Sequence, residues 1–89
     1  MINNCAPLGY QRLAALATAA PLTIPKAARA ALIQAESQPV RWRDDGTAPT
    51  ASAGMLLDAG ETLFYVGSLD ALRFIEAQAP AVLNVSFYG

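Results

Sequence analysis

Apolar and polar residues alternate with a period of two along much of this chain. The pattern is clearest at the C-terminal end, where Ala81, Leu83, Val85 and Phe87 fall on one side and Asn84, Ser86 and Tyr88 on the other. That is the signature of a half-buried strand. Val40-Arg41-Trp42-Arg43 repeats it, with Val40 and Trp42 directed inward, both arginines outward and Asp45-Gly46 supplying a turn. Ala30 to Glu36 is predicted as a further strand. Met55 to Leu57 and Glu61 to Val66 flank Asp58-Ala59-Gly60, which predicts a hairpin with Gly60 at a residue of positive φ. Leu72 to Glu76 and the last strand flank Ala77 to Pro80 and predict a second hairpin.

Prolines and glycines from Pro21 onward cut the chain into short pieces, so no long helix is expected there. Residues Tyr10 to Ala20 fit two readings. Leu13, Leu16 and Ala20 share a helical face, but a strand followed by a loop fits equally, and the strand is preferred because so short a helix is marginal in water. Short strands at intervals of roughly 8–12 residues, about six to eight in number, predict a small all-β fold, an antiparallel sandwich or barrel. Residues 1–20 form an N-terminal segment, either an arm or the first strand, and residues 21–89 the body. The expected core is Leu32 or Ile33, Val40, Trp42, Leu63 or Phe64, Val66, Leu72, Phe74, Leu83, Val85 and Phe87. The small-residue run Thr47 to Gly54 is a loop able to project from that body.

Composition changes this picture in one respect. With 89 residues, a single cysteine and no histidine, the chain has neither a disulfide nor the usual structural zinc ligands to support a small core. Residues are 54% apolar and 15% charged, against a usual charged share of about 25%. Part of the surface is therefore expected to be covered by a protein partner. Six basic and seven acidic residues, with no block of either sign, give no nucleic-acid footprint and no anionic-membrane patch. No apolar run reaches the ~18–20 residues of a membrane-spanning helix, and Leu13 to Ala20 is too short and too weakly flanked by charge to be expected as a cleaved leader.

Catalytic chemistry has little to work with. The absence of histidine removes the commonest general base and metal ligand. Cys5 has no base near it in sequence and reads as an unactivated thiol. Asp44-Asp45 before Gly46 lacks the alternating oxygen ligands of a calcium loop. No glycine-rich loop opens a helix to cradle phosphate. The expectation is a protein that is not an enzyme and holds no cofactor or metal.

The run Leu22-Thr-Ile-Pro25, then Ala30 to Glu36, Val40-Arg-Trp-Arg-Asp-Asp-Gly-Thr-Ala-Pro-Thr50, Gly54-Met55, Leu72-Arg-Phe-Ile75 and Leu83-Asn-Val-Ser86 resembles small structural proteins of tailed-phage and prophage virions. The resemblance covers almost all of the chain beyond Gly9, and the segment from Arg41 to Thr50 is its most specific part. It implies a virion component assembled in the host cytoplasm: a capsid decoration (cement) protein that stabilises the head shell by contacting the major capsid protein, or else a neck, tail or fibre-base accessory. A trimer is the self-associated form that it implies. An oligonucleotide-binding barrel and a carbohydrate-binding sandwich are the readings of other classes. The second requires exposed aromatic rings on one face, and Trp42, in phase with Val40, is expected to be buried instead.

Six residues are candidates for interface contacts. Arg41, Arg43, Asp44, Asp45 and Arg73 combine guanidinium forks with carboxylates that can set a neighbouring subunit in register. Tyr88, on the polar side of the last strand, offers a large and rather rigid contact surface. The segment Val82 to Tyr88, free of proline and charge, is expected to be the strand edge least protected against pairing with another chain.

Overall fold

The computed structural model describes residues 6–89, so Cys5 lies outside the described residues. Among the described residues seven strands form: β1 (Pro7–Leu13), β2 (Ala30–Glu36), β3 (Val40–Arg43), β4 (Met55–Leu57), β5 (Thr62–Val66), β6 (Arg73–Glu76) and β7 (Val82–Tyr88). A single 3-10 turn, Leu69–Ala71, is the only helical piece among the described residues. The strands make two antiparallel sheets, one ordered β1-β7-β2-β5 and the other β4-β3-β6. The fold is a small β-sandwich and not a closed barrel. Residues 7–13 of the N-terminal segment are a strand, and residues 14–19 are irregular.

The inward faces result from the alternation. Ala31, Ile33 and Ala35 on β2 and Leu83, Val85 and Phe87 on β7 meet Val40, Leu57 and Phe74 of the second sheet in one core. Leu16, Leu22, Leu69, Leu72 and Ala81 fill it from the connections. The radius of gyration, 12.1 Å, is what a close-packed chain of this length has. Two core expectations are corrected, those for Val66 and Trp42. Val66 is 67% exposed, because it shares with Phe64 the outward face of β5, while Leu63 and Tyr65 turn inward. Of the expected pair Leu32 or Ile33, it is Ile33 that takes the interior position, with Leu32 on the outer face. Trp42 is only half-buried, packed against the margin of the core.

Both predicted hairpins are corrected as well. The turn at Asp58–Glu61 forms, with Gly60 at φ +86°. Its two strands nevertheless separate, β4 into the three-stranded sheet and β5 into the four-stranded one. The turn is held against the end of β2, where Gly60 N–H donates to the Ala35 carbonyl (2.7 Å) and Ala35 N–H to the Glu61 carbonyl (3.2 Å). This delivers β5 to β2. The link from β6 to β7 likewise crosses between sheets.

The most consequential correction concerns β7. It is an interior strand, bonded to β1 on one side and β2 on the other, and not an edge. Freedom from proline and charge leaves every N–H available for both neighbours, so the same composition that makes a dangerous edge makes a good central strand.

Candidate functional site

One flank of the sandwich is closed by the chain itself. After β1 the backbone turns along the outer edge of β6, where Ala20 and Phe74 exchange both backbone hydrogen bonds (2.8 and 3.0 Å) and Glu76 N–H donates to the Leu16 carbonyl (2.9 Å). The opposite flank has no such cover. There the edge strands β4 and β5 succeed one another through the tight turn at Gly60, and each is paired on one side only. β5 reads Thr-Leu-Phe-Tyr-Val, five residues with no charge and no proline. An edge of that composition is a template for another strand.

Between these two edges the interior is incompletely sealed. Met55 stands opposite Trp42, which stands opposite Phe74, so all three point to the same face of their sheet. Phe74 is fully buried, Trp42 half-buried, and Met55 60% exposed. Tyr65 reaches across from the other sheet and meets Trp42 edge to face, with ring centroids 6.2 Å apart and planes at 79°. Its hydroxyl donates to Asp44 Oδ2 at 2.7 Å. That bond, aided by desolvation, holds the Tyr65 phenol above its ordinary pKa, because the acceptor favours the protonated form.

Asp44 and Asp45 belong to the loop that leaves β3, directly after Arg43 at the strand's end. Arg43 forks onto Asp45, Nε to Oδ1 at 2.9 Å and Nη2 to Oδ2 at 2.5 Å. The hydrogen bond from Arg43 holds the Asp45 carboxyl below the usual carboxylate range, and the same bond raises the guanidinium. Arg43 lies directly opposite Arg73 across the β3–β6 pairing. Like charges so placed repel. Asp45 neutralises one of them, and Arg73 turns Nη1 onto the carbonyls of Asp70 and Leu72 (2.8 Å each). Arg43, Asp44, Asp45, Gly54 and Met55 line a depression of about 320 Å³.

Arg41 is more internal than its neighbours. Its Nη1 donates to the Gly54 carbonyl (3.0 Å), while its Nε is buried without a hydrogen-bond partner. The Thr47 to Gly54 loop does not stand free: Pro49 is buried, and Thr50 and Ala53 exchange backbone bonds across a turn. Gly54, at φ +136°, has no room for a side chain, since a Cβ would sit 3.1 Å from that of Pro49 and 3.2 Å from the Trp42 carbonyl oxygen. The loop thus closes over Arg41.

The predicted interface residues therefore separate into two places. Arg43, Asp44 and Asp45 come together on the open flank, with Arg41 beneath the loop and Arg73 across the sheet. Tyr88 is on the other sheet, half-buried on the outer side of β7 between Pro7 and Ala30. Met55 and Tyr65 were not among the predicted interface residues. Tyr65 comes after three apolar or hydroxylated residues whose alternation is ambiguous, so nothing in the pattern points it toward Asp44. Among the described residues no cluster of acidic or sulfur side chains is arranged to hold a metal ion, and no helix is long and apolar enough to cross a membrane. No family model, curated protein or solved structure matches this chain.

Proposed function

We propose that this chain is a non-enzymatic assembly subunit that docks to neighbouring protein subunits through its open flank. The observation that carries the reading is Met55, an inward-facing side chain on the interior side of its sheet that is nevertheless 60% exposed between two unpaired strand edges. A partner strand laid along β5 would satisfy its free backbone groups and cover the seam where Met55, Trp42 and Tyr65 meet. The Arg43–Asp45 fork and Asp44, at the rim, would supply orientation more than affinity, as charges at an interface edge do.

The resemblance of residues 41–50 to virion structural proteins makes the shell of a tailed phage the natural setting, with decoration of the head favoured over a neck or tail position. A compact body without a long helix suits a clamp better than a fibre. Quantitative mass spectrometry of purified particles tests this. Copies in the hundreds support shell decoration, and a dozen or fewer support the neck or tail. Complete absence from particles defeats the virion reading. Val66→Lys, which puts a charge on the exposed end of β5 without touching the core, should reduce incorporation into particles while the purified variant still folds.

A further inference from the structure

The outer face of the four-stranded sheet holds a second surface that docking on the flank does not use. Its cross-strand rows are set by the register: Tyr10, Ser86, Leu32 and Phe64 in one, Arg12, Asn84, Gln34 and Thr62 in the next. Between them is a groove of about 190 Å³ lined by Tyr10, Leu32, Gln34, Thr62, Asn84 and Ser86. Asn84 is its organiser. It accepts from the Tyr10 hydroxyl and donates through Nδ2 to Glu36 Oε1 (2.7 Å) and to Gln34 Oε1 (3.4 Å). Its amide is therefore spent on fixing three neighbours. What the lining leaves free is a mixed set, the Gln34 Nε2 donors and the hydroxyls of Thr62 and Ser86, none with a hydrogen-bond partner among the described residues.

From this arrangement we propose that the groove binds a neutral saccharide, one sugar ring lying against Tyr10 and Leu32. Each sugar hydroxyl both donates and accepts, which suits the Gln34 donor amide beside the Thr62 and Ser86 hydroxyls, themselves able to donate and accept. The flatter, C–H-bearing face of a ring suits an aromatic side chain that is 63% exposed and tethered by its own hydroxyl. The competing chemistries fit less well. Arg12 is the one cation in these rows, and Glu36, bonded to Asn84, sets an anion beside them, so a phosphate or nucleic-acid backbone finds no basic cluster. A strand-forming peptide would choose an unpaired edge, and here β7 and β2 are already bonded on both sides. The polar row of Asn84, Gln34 and Thr62 runs through the groove, where a purely apolar partner would leave the Gln34 amide donors and the Thr62 hydroxyl unsatisfied.

The test is a titration of the full-length, ¹⁵N-labelled chain with maltohexaose, cellohexaose, xylohexaose and N-acetylchitohexaose, with amide chemical shifts as the readout. A one-ring groove implies dissociation constants on the order of 1 mM. The expected result is that at least one sugar shifts amides of β1, β7 and β2 around the groove and leaves those of β4 unmoved. Tyr10→Ala and Gln34→Ala should each weaken that binding roughly tenfold. Both side chains are exposed, so a dispersed spectrum in each variant shows that the sandwich is intact. No shift with any of the four sugars overturns the proposal, as do shifts that persist unchanged in both variants. It is also overturned if groove amides broaden with protein concentration alone and Tyr10→Ala abolishes the broadening, because the face then belongs to a protein contact.

Discussion

Single side chains in this sandwich divide into those that hold it together and those that only margin it. Phe74 is fully buried in the core, whereas Trp42, larger and opposite to it, is half-buried at the open seam. Phe74→Ala should cost about 3–5 kcal/mol, a large part of the stability of so small a domain. Trp42→Ala should cost clearly less, and chemical denaturation of the two variants checks the order. Tyr65 gives a pH signature. Its folded pKa lies above the unfolded value of about 10, so the stability it lends is fully present below that pH and is lost as pH rises through the folded value. Tyr65→Phe should flatten the alkaline decline in melting temperature. Asp45 works in the opposite direction: its depressed pKa lends stability above about pH 4 that disappears as pH falls through the folded value. Because that fork is solvent-exposed, the acid effect should be slight. The faces of β7 and β3 were legible residue by residue, since apolar and polar types alternate cleanly there. On β5 they were not. Leu63, Phe64, Tyr65 and Val66 are all apolar or aromatic, so both faces satisfy the pattern and only the partner strand decides between them.

Elements show where local information ends. The turn at Gly60 was readable, because positive φ and the Asp-Ala-Gly run are properties of a few adjacent residues. Whether the two strands leaving it pair with each other or part into different sheets depends on β2, more than twenty residues upstream, to which the turn is bonded. Proline and charge content gave β7 the look of a vulnerable edge, and only its pairing with β1, from the far end of the sequence, makes it central. That pairing carries a prediction. Deleting residues 1–13 removes buried Leu13 and strips one side of β7, creating a long, uncharged, unpaired edge. The truncated chain should aggregate or fail to show a cooperative melt, and light scattering with circular dichroism would detect either. A soluble, cooperatively folding product would mean that β1 is dispensable and that β7 tolerates exposure.

At the scale of the molecule, one flank of the sandwich is sealed by residues 16–20 and the other is left open at β4 and β5. Composition hinted at an incomplete surface through its low charge and missing cross-links, but could not say where it was, because the seam is made by residues brought together from β3, β4 and β5. If that flank is an interface, apparent stability is tied to association and so to concentration. A closed ring, in which the β5 edge of one subunit meets the β4 side of the next, would leave neither of these two edges unpaired. The direct measurement is sedimentation velocity of the purified chain across a low-micromolar concentration series, with melting curves recorded on the same samples. The account predicts a mass that rises above the monomer with concentration and a melting temperature that rises with it, both lost in Val66→Lys. A compact monomer at every concentration, with a constant melting temperature above about 65 °C, the top of the usual mesophile range, would contradict it.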